Sequence, residues 1–143
     1  MTRYMLDTSV LIDVLREREP ALSQVRQWIV GREELGVCAI QIAEFMSGGH
    51  PQRRVVEYRF LTALRWWDVT PAASAHAGFY RYDFARQGVQ FDTPDPVIAA
   101  VAREWSAVLV TGNVRDFPKT DIQVRALLSD WSVLDRDVAK SWT

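Results

Sequence analysis

Apolar positions along this chain follow two alternating rhythms, short continuous runs and longer stretches with apolar residues at helical spacing. Tyr4, Met5 and Leu6 form the first run, a strand apolar on both faces. Val10, Leu11, Val14 and Leu15 then predict a helix over about 9–17. Pro20 opens a second helix with Leu22, Val25, Trp28 and Ile29 on its core face, and Gly31 ends it. A strand over 36–39 leads at once into a short helix, 40–49, stopped by two glycines. From Pro51 a longer helix reaches about residue 63. Its Val55, Val56, Tyr58, Phe60 and Leu61 cover more than one face, which suits either burial on two sides or a surface offered to a partner.

A third strand over 64–69 carries Trp66 and Trp67, and Thr70-Pro71 starts a helix over about 71–87 that stops at Gly88. Two acids and two prolines, Phe91-Asp-Thr-Pro-Asp-Pro96, lead into an alanine-rich helix ending near Ala102. A fourth strand spans 107–111, a polar loop 112–118, and a last strand about 131–134 before a polar tail. Strand and helix alternate throughout, which predicts an α/β fold with a mostly parallel sheet of four to five strands, covered on both faces.

Length and charge add bounds. At 143 residues the chain suits one domain, 1–143, with a core large enough to need no staples. No apolar run approaches the ~20 residues of a membrane helix, and no secretory leader is legible, which predicts a soluble cytoplasmic protein with no membrane partner. Cys38 lies in an apolar run and is expected to be packed rather than reactive. A net charge of -1 argues against a generally basic nucleic-acid coat, although a balanced total can hide an acidic pocket inside a basic rim. All basic residues except Lys119 and Lys140 are arginine, a skew that codon usage produces and that also suits bidentate phosphate contacts. His76, with no second histidine or cysteine at ligand spacing, reads as an ordinary helix residue.

The chemistry lies where strands become helices. Asp7 ends the first strand, Glu44 rides the helix after the second, Asp92 and Asp95 open a later helix, and Asn113 and Asp116 follow the fourth strand. In a parallel sheet these positions converge on one edge. Gathered carboxylates repel one another unless a cation compensates, and an all-oxygen donor set suits Mg2+ or Mn2+ rather than zinc. Such an ion leaves a water available to attack a phosphodiester. Each acid also has a structural reading. Asp7, Thr8 or Ser9 would cap the first helix, Glu44 would be a solvated glutamate, Asp95 a helix start, and Asn113 a turn cap.

The segments LDTSVLID, IAEFMSG, DPVIAAVA and VTGNVRDF, in this order, resemble the PIN domain, and the compact size resembles VapC-type toxins of toxin–antitoxin pairs. The resemblance implies a three-layer α/β/α sandwich and a Mg2+- or Mn2+-dependent endoribonuclease. It also implies a cognate VapB-type antitoxin as partner, and a homodimer. The family's acids fall on Asp7, Glu44 and Asp95, with Asp116 as the fourth and Thr8, Ser9 and Asn113 in support. Relatives commonly carry arginine where Gly112 stands, so a positive group near the site is either missing here or replaced by Arg115. Asp92 falls outside the pattern. Two rivals remain: a receiver-type signalling domain with Asp68 as phospho-acceptor, and a PIN-like interaction module without catalysis.

Overall fold

The computed structural model describes residues 1–118 and 121–127, and the backbone of 133–136. The chain begins with β1 (Arg3–Leu6), α1 (Thr8–Leu15), α2 (Ala21–Val30), β2 (Glu34–Val37) and α3 (Ala39–Ser47). A 3-10 turn over Pro51–Arg53 leads into α4 (Arg54–Thr62), followed by β3 (Arg65–Trp66), α5 (Pro71–Arg86) and α6 (Asp95–Glu104). Then come β4 (Val108–Thr111), a second 3-10 turn over Val114–Asp116, β5 (Val124–Leu127) and β6 (Val133–Arg136).

The strands form one sheet in the order β3-β2-β1-β4-β5-β6. β1 to β5 pair in parallel, and β6 joins β5 antiparallel at the edge. Side chains alternate across the sheet, so β1 sends Tyr4 and Leu6 to one face and Met5 to the other. On the first face they meet Val10, Leu11, Val25, Trp28 and Leu61 from α1, α2 and α4. On the second, Met5 and Leu109 meet α5 and α6 through residues such as Tyr80, Phe84 and Ile98. The result is the expected three layers. Among the described residues no helix is long and apolar enough to cross a membrane.

Several boundaries move for local reasons. α1 starts at Thr8 because Asp7 is extended and its carboxylate accepts the Thr8 N–H. α2 turns Ala21, Val25 and Trp28 inward, while Leu22 is half-buried and Ile29 is 59% exposed. The stacking of Trp28 on Tyr4, with ring centroids 3.9 Å apart, fixes that rotation. β3 pairs for only two residues, although Trp67 beyond it is buried. β5 is absent from the elements read in the pattern: four residues interrupted by Arg125 give little period to detect. β6 overlaps the expected last strand at Val133 and Leu134, whereas Trp131, Ser132 and the tail lie outside the described residues.

Candidate functional site

β1 is the switch point of the sheet, with β2 on one side and β4 on the other. The Asp7 N–H donates to the Val110 carbonyl at 2.9 Å, extending the parallel ladder one residue beyond β1. Asp7 and Thr111 therefore leave the sheet together, although 104 positions separate them. Ser9, in the first turn of α1, reaches the same place. Its Oγ accepts the Gly112 N–H at 3.0 Å and donates to Asp7 Oδ2 at 3.4 Å.

Asp7 is both a cap and the centre of the site. Oδ1 accepts the Thr8 N–H at 2.8 Å, and Oδ2 accepts the Thr111 hydroxyl at 2.9 Å. Burial pushes its carboxyl above the usual range, the Thr111 and Thr8 hydrogen bonds pull it back, and the charge of Asp116 raises it again. Thr8 also donates its hydroxyl to Glu44 Oε1 at 3.2 Å, tying α3 to α1. Glu44 is exposed, yet its carboxyl is also raised, by partial burial first and then by Asp7 and Asp116 against the Thr8 hydrogen bond.

Asp95 opens α6, where a helix N-terminus favours negative charge. Its carboxyl is nevertheless pushed up to about 7, by burial and then by the charges of Asp116, Asp7 and Glu44. The four acids expected to share a crevice thus act on one another electrostatically, from four separate segments. What they share is charge rather than a formed coordination shell. Among the described residues no three His, Cys, Asp or Glu side chains stand close enough to hold an ion as placed. The donor set still fits a hard divalent cation, since every member is an oxygen acid and a cation would relieve the repulsion that lifts Asp95.

The remaining expected residues divide. Asp116 lies in the turn after β4, exposed, and its charge reaches Asp7, Glu44 and Asp95. Asn113 is exposed and makes no side-chain cap hydrogen bond to that turn, contrary to its reading as a cap. Arg115 is exposed beside it. Asp92 engages Arg81 at 3.5 Å and Gln90 at 2.6 Å instead. Asp68 is exposed after β3, the edge strand, rather than at the centre of the sheet as a receiver requires. Cys38 is buried, donates Sγ–H to Gln41 Oε1 at 2.8 Å, and has its thiol pushed up by burial, so it is packed as expected.

Two residues of the site escape the motif reading. Thr111 looks like the last residue of a strand, and only the parallel pairing of β4 with β1 turns its hydroxyl into a ligand of Asp7. Gln41 is wholly buried in α3, accepting the Cys38 N–H at 3.0 Å and donating to the Leu6 carbonyl at 3.3 Å. It fixes the start of the helix that carries Glu44 against the end of β1. A polar residue three positions after Cys38 at a helix start is the one signal the sequence offered.

A strand order centred on β1, with acids beyond its carboxyl end, defines a three-layer α/β sandwich with its candidate site at the switch point of the sheet. The PIN domain family matches residues 4–123, and the chain belongs to that family. Its relatives within the family include Ribonuclease VapC2 of Haemophilus influenzae, 32% identical over 125 residues that span 83% of this chain and 92% of that protein. The fold is similar to that of VapBC-1 from nontypeable Haemophilus influenzae, with a TM-score of 0.74, 24% identity, and coverage of 87% of this chain and 98% of that one. The DNA-bound VapBC of Salmonella typhimurium is also similar, with a TM-score of 0.69, 26% identity, and coverage of 82% and 91%. This sets the receiver reading aside, and with it any role for Asp68 as phospho-acceptor.

Proposed function

We propose that the chain is a metal-dependent endoribonuclease and the toxin of a toxin–antitoxin pair. The observation that carries the reading is the convergence of acids from four distant segments beyond the carboxyl end of β1, where Asp7, Glu44 and Asp95 each feel the charge of Asp116. Asp7, Glu44, Asp95 and Asp116 are the residues that would hold Mg2+ or Mn2+. Bound there, the ion supplies Lewis acidity toward an RNA phosphodiester and makes water nucleophilic near neutral pH.

The chain's own groups prepare that chemistry. Thr8, Ser9 and Thr111 occupy Asp7 from three directions, which fixes the carboxylate before any ligand arrives. Thr8 holds Glu44 in the same way. Asn113 offers an amide to substrate or water, and Arg115 a cation to the phosphodiester. The intact acids favour this reading over an interaction module without catalysis. The test is cleavage of RNA by the purified chain with Mn2+, by Asp7→Asn and Asp95→Asn variants, and with a chelator present. Undiminished cleavage in both variants would reject the mechanism.

A VapB-type antitoxin is the proposed partner, supported by the VapBC relatives and by the surface of α2 and α4. Ile29, Val30, Val55, Val56 and Tyr58 are all at least half exposed, and between the two helices lies a cavity of about 470 Å³ bordered by Ile29, Phe60 and Leu64. Exposed aromatic residues on α5, Phe79 and Tyr82, offer a separate face for a homodimer. Light scattering of the purified chain tests the dimer, and a monomer at micromolar concentration would remove it.

A further inference from the structure

α3 presents two faces. On one, Glu44 meets Thr8 of α1. On the other, Ala39, Ile42, Ala43 and Met46 recur at helical spacing and wall a cavity of about 340 Å³, which Trp66 and Val69 close from the end of β3. Asp68 is the only charged side chain among the described residues that line it. It is exposed, and its carboxylate makes no hydrogen bond or ion pair with any described residue. Trp66 beside it is 47% exposed, yet its ring is held. Its Nε1 donates to the Leu61 carbonyl at 2.9 Å, and Tyr58 packs edge-on against it, centroids 6.2 Å apart. The cavity thus combines an apolar trough, a fixed aromatic ring and one uncompensated negative charge.

We propose that this cavity receives an arginine side chain of the antitoxin. The proposal rests on the toxin–antitoxin reading and deepens it, by naming an anchor on the opposite face of α3 from Glu44. Arginine has three parts, and the lining matches each. Its methylene stem covers apolar surface, here Ile42, Met46 and Val69. Its guanidinium stacks on an aromatic ring, best of all an indole. Its planar fork gives a carboxylate two parallel hydrogen bonds. Lysine, a compact point charge on a similar stem, offers neither the plane nor the fork. A wholly apolar guest would fill the trough and leave Asp68 unpaired. RNA is the poorer guest for the same reason, since a lining whose one charge is a carboxylate repels the phosphates that nucleic-acid binding depends on.

The test has two arms. In the first, the full chain with Mg2+ present is titrated with N-acetylarginine methylamide and with its uncharged isostere, N-acetylcitrulline methylamide. The Trp66 indole N–H and the Met46 methyl are followed by NMR. Both signals are expected to move with the arginine compound at concentrations about tenfold below those the citrulline compound needs, and Asp68→Asn should erase the difference. In the second arm, Asp68→Asn should weaken binding of the co-expressed antitoxin about tenfold and leave RNA cleavage by the free chain unchanged. Equal responses to the two amides, or a stronger response to UMP than to the arginine compound, overturn the proposal, and the latter would assign the cavity to RNA. So does full antitoxin affinity in Asp68→Asn, which leaves the toxin reading standing. A parent chain that binds no antitoxin yet prefers the arginine compound supports the pocket and counts against the toxin reading.

Discussion

Thr111 Oγ1 donates to Asp7 Oδ2 at 2.9 Å while accepting the Asn113 N–H at 3.0 Å, so one hydroxyl locks the central acid to the loop that carries Asp116. Thr111→Val keeps the shape and removes both bonds. It is expected to lower metal affinity and RNA cleavage about 10–100-fold, as losing a partner of a metal-binding carboxylate does. Thr111→Ser should retain most of both. Calorimetric titration with Mg2+ beside a cleavage assay reads the effect, and a valine variant equal to the parent would deny Thr111 this role.

Asp95 sets a pH dependence with a definite sign. Its carboxyl is raised from 3.8 to about 7, so between those values the metal-free folded chain holds a proton that the unfolded chain has released. This group's contribution to stability is therefore full at low pH and falls as pH rises through the window. A divalent ion takes the deprotonated form, so metal affinity is expected to rise over the same interval with release of protons. Asp95→Asn should flatten the thermal-stability profile of the metal-free chain there. Mg2+ affinity that stays constant between about pH 6 and pH 8 would contradict this assignment.

Gly36 lies in β2 beneath the Trp67 ring, and a Cβ there would come within 2.6 Å of it. Trp67 is itself buried and stacked on Trp105, centroids 5.6 Å apart, so its ring can yield only by giving up that contact. Gly36→Ala is expected to destabilise the chain by about 1–3 kcal/mol, the cost of overpacking a core. Urea denaturation measures it, and an unchanged midpoint would mean that the indole moves freely.

Val56 is 61% exposed on α4. Val56→Asp should leave thermal unfolding unchanged and weaken capture of the co-expressed antitoxin about tenfold or more, if α4 carries a central contact. Pull-down from co-expressing cells reads the outcome, and undiminished capture would move the partner to another face.

Much of the fold was legible because it is local. The run at Tyr4–Leu6 and the helical spacing from Val10 predict β1 and α1 nearly to the residue, and Thr70 with Pro71 marks the start of α5. The spacing puts Leu22 and Ile29 on the α2 core face and the structure does not, because a rotation of a few tens of degrees preserves the same period. Only the Trp28–Tyr4 stack selects one rotation. β5 escaped notice for the opposite reason: its register comes from β4 rather than from any pattern of its own.

By itself the sequence determined which residue types stand at the ends of which elements: an acid after β1, another on the helix after β2, one at the start of the helix before β4 and one after β4. It could do so because strand and helix periods are written in neighbouring residues. Tertiary structure alone decided that Asp7, Glu44, Asp95 and Asp116 feel one another's charge, and that Thr111 belongs with them. It also decided that Glu57 is buried beside Glu44 without a full complement of partners. Burial and charge repulsion act through space, and distance along the chain carries no record of them.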